Sequence, residues 1–438
     1  MRDLYFQNDF EAGEFARRRA KVMERMGGGV ALVAGAGEVA GFEGFRQNND
    51  FYYMCGVEAP HAYLLIDAER KKSCLYLMAP DAKHEETDGP MLGPGDAEFV
   101  RERTGVEETK PLAALVEDLR GKKRVWLSKC EPEGRMACQD TLRHMRKSAE
   151  GDPIDKRSFE TDRLRARVEE IAPGAEVMDL SPILQRLRIV KSAAEIELMR
   201  RAGKLAARAA VAAMKETAAG MFEYQLQAPA EAVYLDGGAR GGSYRPIIAA
   251  GKNIWMMHYW RNNSKLNDGD LVLFDYAPDL GNYTSDIGRM WPVNGRFSSE
   301  QREVYGFVVE YHKVLLSLIR AGKMAEEVLR EAGEKMRPRI GKWFSKEVYR
   351  EGAGKLLESK RPLSHGVGMA VHEAEKWQER PMEEGLVFAV DPEFVVPELK
   401  MYVRCEDTVV VTGSGCEILT EEAAVELEEI EEIMRGRR

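Results

Sequence analysis

Along this chain apolar residues recur either every three to four positions or at every second one, and the two periods divide it into helices and strands. Residues Glu14 to Met26 (EFARRRAKVMERM) carry the helical period, and GGGVALVAGAG then turns into a short apolar strand. RQNNDFYYMCGV reads as an aromatic strand after a polar turn, and AYLLIDAERKKSCLYLMAP as two strands joined by the charged turn Ala68 to Lys72. Helical spacing returns near Asp96 to Arg103, Pro111 to Arg120, Gln139 to Lys147 and Ser158 to Ile171, with VWLSK as a strand between them. This alternation predicts an α/β domain over residues 1–172, a linker over 173–190 and a second domain over 191–438. In the second domain Ser192 and Glu195 form a capping box for a long helix, 192–215. A helix near 222–236 follows, then strands near 244–250, 271–277 and 284–290, helices near 299–321 and 323–337, and strands near 386–391 and 406–412. An acidic C-terminal helix, TEEAAVELEEIEEIMRGRR, closes the chain with its basic end well placed on the helix dipole.

One stretch carries chemistry inside its apolar pattern. LVLFDYA and YTSDIGRMW read as two strands around the turn residues of PDLGN, each strand bearing one aspartate. A turn centred between Leu280 and Gly281 sets Asp275 opposite Asp286, with Cβ atoms roughly 4.5–5.5 Å apart. Carboxylates that close repel, so either one keeps a proton or a cation lies between them. Oxygen ligands suit harder divalent ions such as Mn²⁺ or Mg²⁺. Two solvated aspartates flanking a hairpin would satisfy the same pattern.

Composition narrows the classes. A length of 438 residues exceeds what one core usually serves, and a hydrophobic content of 44% is that of an ordinary soluble protein. No apolar run is long enough to span a bilayer, and the N-terminus has no apolar signal segment, so a cytoplasmic protein that does not enter membranes is expected. The net charge of −9, with basic and acidic residues interspersed, argues against a nucleic-acid binder. Six cysteines without CxxC or zinc-type spacing read as buried free thiols.

Three further segments place donors at the ends of apolar runs. SHGVGMAVH sets His365 and His372 beside paired glycines, in a chain with only seven histidines. LVFAVDPEF ends an apolar run on Asp391 before Pro392. In YVRCED, strand alternation puts Arg404 and Glu406 on one face and Asp407 on the other. Taken singly, each reads as a solvated strand end or a structural histidine; together they supply five oxygen or nitrogen donors beside apolar strands.

The order Asp275, Asp286, His365, Asp391, Glu406 resembles the two-aspartate, histidine, two-glutamate metal set of the metallopeptidases that include methionine aminopeptidase, aminopeptidase P and prolidase. RQNNDFYYMCGV is similar to the amino-terminal domain of aminopeptidase P, RIVKSAAEIELMRRA to the entry into its catalytic domain, and MMHYWRNNSKLNDGDLVLFDYA and SDIGRMWPVNGRFSSEQREVY to the segments around its two aspartates. The resemblance implies an α/β N-terminal domain followed by an α+β catalytic domain of the pita-bread fold. It also implies two divalent metal ions, Mn²⁺ first with Zn²⁺ or Co²⁺ as options. Asp275, Asp286 and Glu406 would hold one ion; Asp286, His365, Asp391 and Glu406 would hold the other. His258 and His372 match histidines that contact substrate, and Arg404 matches the arginine beside the bridging glutamate. The implied activity is that of a Xaa-Pro aminopeptidase on peptides with proline at the second position, with Asp391 as general base. A prolidase restricted to dipeptides, or a catalytically weakened binding protein of this fold, are the alternatives. Relatives self-associate, so a homodimer or homotetramer is implied.

The chain departs from the family at two places. Asp391-Pro392-Glu393 stands where relatives have glutamate, proline and glycine, which shortens a ligand and adds a bulky acid. Arg361, four residues before His365, replaces a histidine; it fits a substrate carboxylate or a structural ion pair equally.

Overall fold

The computed structural model describes Tyr5, residues 7–39 and residues 41–436. Two compact units account for the chain, Met1–Arg188 and Ile189–Arg438.

Among the described residues, the first unit is built on a six-stranded mixed sheet of β1 (Val30–Ala34), β2 (Tyr63–Asp67), β3 (Lys72–Leu77), β4 (Glu108–Pro111), β5 (Arg124–Leu127) and β6 (Glu176–Asp179), in the order β4-β3-β2-β1-β5-β6. β1, β2 and β3 run antiparallel, whereas β4, β5 and β6 join in parallel, each reached through helices. Val30, Leu32, Leu65, Tyr76, Val125 and Leu127 form one buried face of this sheet. RQNNDFYYMCGV, expected as a strand, instead holds the helix Asn49–Cys55. Six of its residues are buried, so no polar stripe marks the helical period; it ends at Gly56, whose φ of 66° suits the left-handed cap. The expected linker, 173–190, contains β6 and the helix Ser181–Ile189, and Arg188 near the end of that helix pairs with Asp50 at 2.8 Å and Glu133 at 2.7 Å. β4, a polar edge strand of sequence ETKP, has no apolar alternation by which to be recognised.

The second unit curls a seven-stranded sheet around the segments singled out above. Among the described residues its strands are β7 (Ile247–Ala250), β8 (Leu271–Asp275), β9 (Ile287–Pro292), β10 (Leu363–Gly366) and β11 (Val387–Val390), with β12 (Glu393–Val396) and β13 (Met401–Arg404) as a separate ribbon, then β14 (Glu406–Val411) and β15 (Cys416–Ile418). The sheet order β10-β11-β14-β9-β8-β7 brings together strands far apart in sequence. The predicted capping box is present: Ser192 Oγ accepts from the Glu195 N–H and the Glu195 carboxylate from the Ser192 N–H, opening the helix Ala193–Glu216. The C-terminal helix runs Leu427–Arg435; the last two arginines of its expected basic end lie outside the described residues, as does most of the N-terminal hexapeptide. Among the described residues no helix is long and apolar enough to cross a membrane. All six cysteines are free, with Cys130 and Cys416 only partly buried.

The helix Ala193–Glu216 packs through small residues, and at Gly203 an added Cβ would lie 2.2 Å from the Leu419 carbonyl oxygen. Glycine to alanine in a free helix stabilises by about 1 kcal/mol. Here Gly203→Ala is expected to destabilise by roughly 1–3 kcal/mol through overpacking, read as a lower urea midpoint.

Candidate metal centre

The hairpin of β8 and β9 is present, with a register different from the expected one. Leu280 and Tyr283 exchange both backbone hydrogen bonds, at 2.9 and 3.0 Å, around Gly281 and Asn282, whose φ angles are 57° and 65°. Two positive φ angles make a type I′ turn, the connection matched to strand twist, and glycine and asparagine adopt it at least cost. The turn is therefore centred one residue later, and Asp275 faces Gly288 rather than Asp286. A two-residue offset keeps Asp275 and Asp286 on the same face as diagonal neighbours. The hydroxyl of Tyr244 lies 2.8 Å from Oδ1 of both aspartates, a contact to which no sequence signal pointed. A phenol has one proton to donate, so the second contact is satisfied when one carboxyl is itself protonated.

β14 completes the cluster from the other side of β9. Gly288 is paired with Asp275 on one flank and with Glu406 on the other. A Cβ at Gly288 would sit 3.0 Å from Glu406 Oε2 and 3.1 Å from Arg404 Nε, so the glycine leaves the space those side chains fill. Carboxylate oxygens of Asp275, Asp286 and Glu406 all lie within 4.8 Å of one another, and all three residues are buried. Alternation along β14 turns Asp407 to the reverse face, where it pairs with the buried Arg289 and, at 3.3 Å, with His312. Arg289 also donates to the Glu406 carbonyl, anchoring the strand behind the Glu406 side chain. Asp391, next to the end of β11, is held by its N–H to the Pro362 carbonyl at 2.8 Å. Arg404 inserts among these acids: it hydrogen-bonds Asp275, and its nitrogens lie 3.3 Å from Asp391 and 3.2 Å from Glu406.

The histidines lead outward from this core. His365 Nδ1 is 3.3 Å from the Gly366 carbonyl, and Nε2 is 3.4 Å from Asp286 Oδ2. A proton on Nδ1 directed to that carbonyl leaves the Nε2 lone pair facing the acids. The His372 ring lies 3.9 Å from that of His365, and exposed His258 lies 6.3 Å from His372. Arg361 stands apart on the surface, its Nη1 3.3 Å from Glu393 Oε2, while Tyr402 donates to Glu393 Oε1 at 2.8 Å. The two departures from the family pattern thus contact each other.

Burial dominates the electrostatics. It pushes the Asp286 carboxyl up to about 7, with help from neighbouring Asp275 and against the pull of Arg404 and His372. It pushes Asp391 up to about 7, where Arg404 opposes and Glu393 assists, and raises Glu406 well above the usual carboxylate range. Two like charges about 4 Å apart repel by roughly 4 kcal/mol at an effective dielectric of about 20. One guanidinium cannot balance four such acids. Among the described residues Asp391 Oδ1 and Glu406 Oε1 are buried without a hydrogen-bond donor, and Glu406 Oε2 has only the 3.2 Å ion pair with Arg404, a costly state unless a further cation completes them. Oxygen donors with a single imidazole suit Mn²⁺, Co²⁺ or Zn²⁺, so the residues present fit divalent ions.

The pattern of metallopeptidase family M24 matches residues 197–413, and that of the aminopeptidase P N-terminal domain matches residues 15–126. The Xaa-Pro aminopeptidase of Escherichia coli K12 is 31% identical, covering 97% of this chain and 98% of its own length. The chain belongs to the aminopeptidase P family of metallopeptidases. The Haemophilus influenzae Xaa-Pro aminopeptidase is 29% identical over 99% of both chains. The structure of E. coli aminopeptidase P with the inhibitor Pro-Leu superposes with a TM-score of 0.78 at 30% identity, covering 98% of this chain and 99% of that one. The fold is accordingly the N-terminal aminopeptidase P domain followed by the pita-bread catalytic domain, and the chain is a hydrolase of the metallo-aminopeptidase class. Family membership implies divalent metal ions.

Gly288 is packed directly against Glu406 and Arg404. Gly288→Ala, which forces Glu406 and Arg404 apart, is expected to weaken Mn²⁺ binding at least about tenfold, in line with the effect of disturbing residues that support metal ligands. Isothermal titration would measure it.

Proposed function

We propose that this chain removes the N-terminal residue from peptides whose second residue is proline, with two divalent ions, Mn²⁺ first, held by Asp275, Asp286 and Glu406 on one side and by Asp286, His365, Asp391 and Glu406 on the other. The observation that carries this reading is the buried carboxylate cluster with orphaned oxygens, set in a chain collinear with Xaa-Pro aminopeptidases over nearly its whole length. Bound divalent ions supply a water nucleophile at neutral pH and polarise the scissile carbonyl.

The chain's own residues do the rest. Asp391 Oδ1, the oxygen without a donor, takes the proton of the attacking water as general base, a role that contributes typically 10²- to 10⁴-fold. His372 and His258 line the outward path and donate hydrogen bonds to charge developing on the substrate. Arg404, charged and buried among the acids, holds Asp275 and Asp391 in place. Tyr244 keeps its proton, because burial and the two aspartates raise its pKa well above the ordinary value, and so serves both as donor and as spacer. The pairing of Arg361 with Glu393 supports a structural role for that arginine, which favours an aminopeptidase over a dipeptide-restricted prolidase. The charge balance, and the lack among the described residues of a helix long and apolar enough to cross a membrane, support a cytoplasmic enzyme that acts without nucleic acid or membrane, and the family resemblance supports a homodimer or homotetramer.

Metal-stripped protein reconstituted with Mn²⁺ is expected to hydrolyse Xaa-Pro-Ala peptides at the first bond, and the Asp275→Ala, Asp286→Ala double variant to lose turnover at least 10³-fold, the scale of removing the activated nucleophile. Steady-state release of the N-terminal amino acid checks it. Equal rates for both proteins would refute the proposal.

A further inference from the structure

An exposed aromatic and basic patch lies next in sequence to Tyr244 and His258 and has no part in the chemistry above. Trp260 is 52% exposed, with Met256 and Met257 beside it in sequence at 47% and 38%. Two guanidiniums cover the indole: Arg245 Cζ lies 5.2 Å from its centroid and Arg261 Cζ 4.7 Å. Both arginines are exposed, and among the described residues neither forms an ion pair. Two cations on one indole, neither of them in an ion pair, stand out in a chain of net charge −9.

The patch residues are neighbours in sequence of two residues of the site region. Arg245 directly follows Tyr244, whose hydroxyl contacts Asp275 and Asp286. Trp260 lies two residues after His258, which neighbours His372. The loop between is rigidly mounted. Buried Asn262, at a φ of 46°, accepts from the Ile248 N–H at 3.2 Å and donates to the Pro246 carbonyl at 2.9 Å. Buried Glu223 accepts from the Ala250 N–H, the Asn253 amide and the Ser264 N–H, all at 2.8–2.9 Å. A pre-formed surface binds at smaller entropic cost than one that must order on contact.

We propose that Arg245, Trp260 and Arg261 form a subsite for the part of the peptide substrate beyond proline, selecting segments that bear an acidic side chain next to an apolar one. This rests on the Xaa-Pro reading of the centre. Charge complementarity carries the assignment: a half-exposed indole with two guanidiniums against it offers apolar surface and two bidentate carboxylate donors together. Because the contact is made equally before and during hydrolysis, it acts on KM rather than kcat.

The test uses the full-length, Mn²⁺-loaded protein and three amidated peptides, Xaa-Pro-Ala-Phe-Glu, its Gln analogue and its Lys analogue. The expected kcat/KM is about tenfold higher for Glu than for Lys at low salt, as two exposed charge pairs would give, with the difference in KM and diminished at high salt. Arg245→Gln with Arg261→Gln, and separately Trp260→Ala, should bring the Glu to Lys ratio close to one. Turnover of the Gln peptide with equal Glu and Lys values in the unmodified enzyme overturns the subsite while leaving the Xaa-Pro activity intact. Absence of turnover of all three overturns the activity itself and the substrate assignment with it. Sedimentation completes the test: if Trp260→Glu splits an oligomer while the Glu to Lys ratio is unchanged, the patch is a contact between copies of this chain and the subsite is overturned.

Discussion

Four buried carboxylates that cannot all stay charged beside a single guanidinium are the constraint on which the catalytic unit turns. Repulsion among Asp275, Asp286, Asp391 and Glu406 is offset only in part by Arg404, and burial holds the protonation of Asp286 and Asp391 near 7. Such an arrangement is costly as it stands and stable once cations occupy it. The surrounding sheet exists to keep these acids from moving apart. Gly288 lets three strands close around them, the Gly281-Asn282 turn sets the diagonal of the two aspartates, and the Arg289–Asp407–His312 cluster clamps the reverse face of β14.

Legibility in the sequence followed the strength of local patterning. Strand alternation in YVRCED separated Glu406 from Asp407, and the two residues do occupy opposite faces with different partners. The capping box at Ser192 was readable because both of its members are local. The hairpin was readable too, but its register was not: a one-residue choice of turn centre moves every cross-strand pair by two, and only the paired positive φ angles at Gly281 and Asn282 decide it. Helix Asn49–Cys55 was hidden because a helix buried nearly all round shows no polar stripe. Tyr244 was hidden for another reason. Its role depends on two aspartates 31 and 42 residues away, and a single tyrosine in the loop before β7 carries no sign of that.

The departures at positions 361, 391 and 393 look independent in sequence and are connected in space. Glu393 receives Arg361 on one oxygen and Tyr402 on the other, and it lies opposite Arg404 on the neighbouring strand. The acid added beside Asp391 is thereby held by a guanidinium and a phenol, although its charge still helps to raise the Asp391 carboxyl.

The most direct measurement of the central claim is metal stoichiometry on the intact, chelator-treated protein after Mn²⁺ saturation and removal of free ion. Two equivalents per chain, falling below one in the Asp286→Ala variant that removes a shared ligand, is the predicted result. Fewer than one equivalent in the unaltered protein would mean that Arg404 and protons alone balance the acids, and would contradict the account.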